Sequence, residues 1–268
     1  MRPFSVVGKY LLPLMITCTF VLPGCELPGA VSSSQQPTTQ DSRSFIISAA
    51  VGDLETVKHF LNKGVDVNYK DEDGNTALLY STKKGFTELS KFLIEKRADI
   101  TISDSKGMLP IHYAAWTGKA EVVRLLLDNG ADPLVRATDP KDMTPLACAV
   151  GARSLESVRT LLAKGANPND RIVGVPLIGL LLEKPEDVAI LEALLDNGAN
   201  MNARIDGVAA TMLMMAISYD NVPAVKALLA RGVNVNEEVA GTGGTALYYA
   251  IGKGNAEIVK LLEEHGAK

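Results

Sequence analysis

The sequence predicts an all-α solenoid of about seven stacked helix-turn-helix units, joined by β-turn or hairpin fingertips. Three observations predict it. From Phe45 onward an apolar run, a Gly, a small residue and then Asp or Asn recur, and the Gly slot holds Gly64, Arg97, Gly130, Gly165, Gly198, Gly232 and Gly266. Successive slots lie 33, 33, 35, 33, 34 and 34 residues apart, a period at which each repeat forms one supersecondary unit. Aromatic residues make up only 5% of a chain that is 47% apolar, with Ala, Leu and Gly plentiful, which suits small, closely packed helices better than a β-sandwich.

The segment before the repeats reads as an address. Arg2 and Lys9 give a positive start and Leu11 to Leu22 a short apolar stretch, the layout of a secretory signal peptide over residues 1–24. The stretch is too short to span a membrane. It ends in Leu22-Pro23-Gly24-Cys25, which resembles the bacterial lipobox. That resemblance implies that the Cys25 thiol carries a diacylglycerol thioether and becomes the mature N-terminus. Glu26, a residue other than Asp after that Cys, implies sorting to the outer membrane in Gram-negative lipoproteins. Residues 25–43 then offer almost no apolar surface to bury and read as the lipidated Cys and a flexible tether, spanning on the order of 25 Å. The expectation is a protein of the bacterial cell envelope, lipid-anchored at the outer membrane, facing the periplasm, its folded body near a bilayer but not in it.

The repeats occupy residues 44–268. The first unit, Phe45 to Asn68, keeps Gly52-Asp53-Leu54-Glu55. Later inner helices open at Thr76-Ala77-Leu78, Thr144-Pro145-Leu146, Val175-Pro176-Leu177, Thr211-Met212-Leu213 and Thr245-Ala246-Leu247. Thr there can cap free backbone N–H groups, and Pro at the first helical position loses no hydrogen bond. In the third outer helix, Val122, Leu125 and Leu126 fall at i, i+3 and i+4 on one side, and Gly130 supplies the left-handed turn that ends it. Helix pairs of this kind bury their apolar faces only by stacking.

The third repeat carries a resemblance. Asp104, Gly107, Pro110, Ile111, His112, Ala114, Ala115, Gly118, Glu121, Val122, Val123, Leu125, Leu126, Gly130, Ala131 and Asp132 are similar to the ankyrin consensus, and the resemblance extends over roughly residues 42–268. The opening of the first unit resembles N-terminal ankyrin caps. Departures mark individual units. Arg97 replaces a helix-ending Gly, Val175 and Pro185 make repeat five the most degenerate, and Thr138 to Asp142 and Ala240 to Gly244 lengthen two fingertips. The last unit ends in Glu263-Glu264-His265-Gly266, with charge where an inner repeat is apolar.

Charge and chemistry narrow the function. The net charge is −4, and a cut before Cys25 removes Arg2 and Lys9 and no acid, so 27 basic residues become 25 against 31 acidic ones, or −6. With no long Lys/Arg run, that balance disfavours nucleic acid. Cys18 and Cys25 lie in the N-terminal segment, so Cys148 has no partner for an intramolecular disulfide in the body. It sits between Ala147 and Ala149 with no base evident beside it. His112 occupies a position where ankyrins bond locally to backbone or hydroxyl groups, and His59 and His265 belong to opposite terminal repeats. Gly241-Thr242-Gly243-Gly244 lacks the Lys-Ser/Thr of a phosphate loop, and Asp71-Glu72-Asp73 and Glu263-Glu264 lack the spacing of a calcium loop. The expectation is a protein that is not an enzyme and uses no cofactor or metal.

The resemblance implies a non-catalytic, membrane-tethered scaffold that binds a partner protein, of unidentified nature, in the cell envelope. An alternative is an immunity protein that neutralises a toxic periplasmic enzyme such as a secreted lipase effector; a structural role in organising envelope components is a further one. Ankyrin stacks contact partners through fingertips and the exposed positions of inner helices. Those slots hold Glu72, Asp73, Asn75, Lys83 and Lys84 in repeat two, and Ser105, Lys106, Met108, Trp116 and Thr117 in repeat three. Further along they hold Lys141, Met143, Ser218, Tyr219 and Lys253. Trp116, the single Trp, is the strongest candidate, because Trp dominates interface hot spots and core packing does not demand an indole there.

Overall fold

The structure, a computed structural model, describes residues 36–239 and 243–268. The expected signal segment 1–24, Cys25 with its lipidation, and Ala240 to Thr242 of the long seventh fingertip lie outside the described residues. Among those described, no helix is long and apolar enough to cross a membrane.

The first helix starts earlier than the sequence reading placed it. α1 runs Thr39–Val51, so residues 39–43 belong to it and not to the tether. The cause is a reciprocal cap. The Thr38 hydroxyl accepts from the Asp41 N–H at 3.1 Å while the Asp41 carboxylate accepts from the Thr38 N–H at 2.9 Å, satisfying two otherwise free donors. α2 (Leu54–Asn62) returns along it, followed by the pairs α3 (Ala77–Lys84) with α4 (Thr87–Glu95), α5 (Pro110–Trp116) with α6 (Ala120–Asp128) and α7 (Pro145–Gly151) with α8 (Leu155–Ala163). After an irregular fifth unit ending in α9 (Val188–Asp196) come α10 (Met212–Ser218) with α11 (Val222–Leu229) and α12 (Ala246–Lys253) with α13 (Ala256–Glu264).

The Thr caps act as expected. Thr76, Thr144, Thr211 and Thr245 accept from the N–H groups of Leu79, Ala147, Met214 and Tyr248 at 3.2–3.3 Å. Repeat five shows what happens without one. There Val175 replaces Thr and Gly179 sits mid-helix, so both a cap and propensity are lost. The inner segment forms only a 3-10 turn, Leu177–Leu181, and a second 3-10 turn, Pro185–Asp187, leads into α9. Ahead of it, β1 (Arg171–Ile172) pairs antiparallel with β2 (Val175–Pro176), with Arg171 opposite Pro176.

Inner helices stack on inner helices, α1 on α3 on α5 on α7 and α10 on α12, and outer on outer, from α4 through α6, α8, α9 and α11 to α13. In repeat three Ile111, Ala114, Ala115, Val122, Val123 and Leu126 are fully or almost fully buried and Leu125 is half-buried. One continuous core results. Arg97 does adopt the left-handed turn, at φ 65°, where Gly130 sits at φ 92°; a side chain there is strained and glycine is not.

Side chains also join consecutive units. The Asn68 carboxamide accepts from the Asp99 N–H at 2.7 Å, and Asn169 accepts from the Asn200 N–H at the same distance; the Asp or Asn two residues after a Gly slot instead caps its own turn, as Asp99 and Asp132 do by accepting from the N–H groups of Thr101 and Leu134 at 2.8 Å. His112 is fully buried; its Nδ1 accepts from the Leu109 N–H at 3.0 Å, and its Nε2 lies 3.1 Å from the Met143 carbonyl of the next repeat. An acceptor at one nitrogen and a donor at the other is the neutral imidazole, and burial lowers its pKa below the ordinary value.

Candidate interaction surface

The fingertips of repeats two and three are each built around an aspartate. The Asp104 carboxylate accepts from the N–H groups of Lys106 and Met108 at 2.9 and 3.0 Å and from the Tyr113 hydroxyl at 2.5 Å. Asp71 does the same with Asp73, Asn75 and Tyr80 at 3.0, 2.8 and 2.7 Å. Those carboxylates are committed to the turn, and the hydrogen bond that Tyr80 donates to Asp71 pushes its hydroxyl up to about 12. Their neighbours Glu72, Asp73, Ser105 and Lys106 are left exposed at the tips, while Asn75 is half-buried.

Two expected contact residues are not at the surface. Met108 and Met143 are 5% and 8% exposed. Each closes its fingertip, Met108 by accepting at its carbonyl from the Asp104 N–H and Met143 from the Ala137 N–H, and the chain then enters the inner helix with the side chain in the core. Thr117 and Ser218 are also less free than expected. The Thr117 hydroxyl, half-buried, donates to the Tyr113 carbonyl, and the exposed Ser218 hydroxyl to the Met215 carbonyl, each at 2.8 Å.

The C-terminal ends of the inner helices carry the rest. Trp116 ends α5 and is 56% exposed. Lys83 and Lys84, at the end of α3, are exposed, and the Lys83 ammonium stands over the Tyr113 ring 5.2 Å from its centre. Tyr219 and Lys253 are exposed further along. Ser218 and Lys253 meet Tyr248, Tyr249, Ile251 and Gly252 around an apolar depression of about 390 Å³. Glu72 and Asp73 border a second depression of about 400 Å³ at the other end, floored by Ile46, Ile47, Ala50 and Tyr80. Tyr219 shares a groove of about 630 Å³ with Gly179, Leu180 and Met215, which the short 3-10 turn of repeat five leaves open.

Lys141 stands apart, in a fingertip cleft of about 500 Å³. Around it arginines tie successive fingertips together. Arg136 pairs with Asp170 at 2.7 Å, Arg171 with Asp206 at 2.6 Å, and Arg204 with Glu237. Sequence reasoning missed Ile47, Tyr248 and Ile251, all more than 60% exposed; the signal for them was position in a terminal repeat, where one neighbour is lacking.

Groups that could have carried chemistry are placed structurally. Cys148 is buried, and burial pushes its thiol up to about 12. Among the described residues no three His, Cys, Asp or Glu stand together as a metal site.

A family model described as ankyrin repeats (three copies) matches residues 45–137 and 182–268, and one described as ankyrin repeat matches residues 141–172. Among solved structures, the human ASB11 ankyrin repeat domain is similar with a TM-score of 0.68 at 23% identity, over 84% of this chain and 98% of that one. The ankyrin repeat domain of Bcl-3, of the IkappaB protein family, reaches 0.65 at 22% identity over 82% and 97%. An ankyrin repeat domain from Acinetobacter baumannii AYE reaches 0.63 at 30% identity over 71% and 98%. No curated protein sequence matches the chain significantly.

Proposed function

Because the chain belongs to the ankyrin-repeat family, we propose that it holds a partner protein in the concave surface of its stack, from a membrane to which a lipid on Cys25 ties it. The observation that carries the reading is Trp116, 56% exposed at the end of α5. Trp is enriched among interface hot spots, and a rigid exposed aromatic at the end of an inner helix, one repeat on from the exposed Lys83 and Lys84, suits an interface anchor. The groove at Tyr219 offers a recess for apolar side chains of the partner. The tether gives this surface reach in the envelope without embedding it.

A pull-down from envelope extracts identifies the partner, and calorimetry with the purified pair measures Trp116→Ala. The expected loss is about 2 kcal/mol in binding. Unaltered affinity moves the interface to the convex side or the long fingertips. Should the captured protein be a toxic enzyme that loses activity in the complex, the scaffold is an immunity protein. Cys25→Ser is expected to release the chain from membranes, since a three-chain anchor holds where a single chain is marginal; membrane fractionation unchanged by the substitution refutes the tether.

A further inference from the structure

The inner helices can be aligned on the left-handed residue that ends each of them, Gly52, Gly85, Gly118, Arg153, Asp220 and Gly254. Three residues before it stand Ala49, Thr82, Ala115, Val150 and Ile217, all 0–1% exposed, but in the last repeat Ile251 at 62%. Six residues before it stand Ile46, Leu79, His112, Ala147 and Met214, at most 5% exposed, but in the last repeat Tyr248 at 69%. These are the slots that the following inner helix covers, as His112 shows by bonding to Met143 of the next repeat. Among the described residues, α12 has no such helix on it. At the opposite end Val51, 68% exposed, fills the slot through which Thr117 reaches back to the Thr82 carbonyl of the preceding repeat, and Ile47 beside it is 62% exposed. Each end is thus apolar and shaped as half of an ordinary repeat–repeat junction.

The outer helices carry matching charges. Inside the stack, Lys91 pairs with Glu121 at 2.7 Å and Lys226 with Glu257 at 2.6 Å, each from one outer helix to a fixed slot of the next. A second rung joins Asp128 to Lys164 at 2.8 Å and Asp196 to Arg231 at 2.5 Å. On α13 the residues in the donor-side slots of those two rungs are Lys260 and Glu264. On the first unit the receiving slots hold Glu55 and Lys63. The signs are complementary in both rungs.

We propose that the C-terminal face of one copy, Tyr248, Ile251, Lys260 and Glu264, stacks on the N-terminal face of a second copy, Ile47, Val51, Glu55 and Lys63, so that the solenoid continues from chain to chain. Lys260 then pairs with Glu55, and Glu264 with Lys63. Within their own unit Glu55 pairs with Lys58 and Lys260 with Glu264, both pairs exposed, and Lys63 with the half-buried Asp41; ion pairs at a protein surface are cheap to exchange. Because the two faces differ, the contact is head-to-tail and builds chains or rings of more than two copies and not an isologous dimer. It leaves the concave face, and the partner bound there, free.

Sedimentation velocity on the full chain in detergent solution tests this. The parent is expected to show an average mass that rises with concentration past two copies. Lys260→Glu with Glu264→Lys, which touches no buried residue, is expected to raise the concentration needed for association about tenfold or more. Glu55→Lys with Lys63→Glu is expected to do the same. An equimolar mixture of the two variants restores association, since each reversed end then meets its complement. A parent that stays monomeric at every concentration overturns the proposal, as does association that stops at two copies, or that the N-terminal pair of substitutions leaves unchanged. Trp116→Ala affects none of these masses, so failure here is separate from failure of the concave-surface reading.

Discussion

His112→Leu is the substitution whose cost follows most directly from the structure. The imidazole is 0% exposed, accepts from the Leu109 N–H at 3.0 Å and donates to the Met143 carbonyl at 3.1 Å. Leucine fills the volume but satisfies neither group. A buried donor or acceptor left without a partner costs about 1–3 kcal/mol, and Leu109 is only partly buried, so the expected loss is about 2–4 kcal/mol. A pH signature accompanies it. Burial holds the His112 pKa below its ordinary 6.5, so below that pH the unfolded chain takes up a proton that the folded one refuses. Its contribution is therefore fully present above pH 6.5 and is lost as the pH falls through that value, by up to about 1.4 kcal/mol per pH unit. Urea unfolding of parent and variant from pH 8 to 5, followed by fluorescence of Trp116 in the same helix, reads both effects. A loss under about 1 kcal/mol, or an equal pH slope in the two proteins, refutes the neutral inter-repeat bridge.

Thr144→Ala removes the cap from α7, where the hydroxyl accepts from the Ala147 N–H at 3.2 Å; a stability loss of about 1 kcal/mol in denaturant titration is expected. Arg153→Leu strips the buried Asp187, 3% exposed, of the guanidinium that lies 2.9 Å from its Oδ2, an oxygen with no well-aligned hydrogen-bond donor. Burial already raises the Asp187 pKa above 3.8 and loss of Arg153 raises it further, so the variant loses stability as the pH climbs from about 4 toward neutrality; thermal melts that do not fall more steeply than the parent's over that window count against the pairing. Cys148, buried with its thiol pushed up to about 12, is expected to resist a maleimide in the native protein and react on unfolding; rapid native labelling, read by mass spectrometry at that position, contradicts the packing.

The repeat period, the Thr caps, the left-handed turns and the stacking order were legible because they are local and periodic. Thr144 needs only its own third residue to be a cap, and Gly130 only its own φ. The sequence likewise marked Trp116 as a residue that core packing does not demand, and the structure decided between exposure and burial against a neighbouring inner helix by leaving it 56% exposed. What the sequence could not decide was what covers a slot. Met108 and Met143 looked like fingertip residues and are core, because the hairpin that each closes turns its side chain inward. Tyr248 and Ile251 occupy slots that are core in repeats three, four and six, and they are exposed because, among the described residues, no further inner helix packs on α12. Repeat five kept the spacing of its neighbours and still lost its inner α-helix, through the sum of a missing cap and a central Gly179. Periodicity specifies which residues are equivalent. Burial is a property of the neighbour across the junction, and only the tertiary structure says whether that neighbour is there.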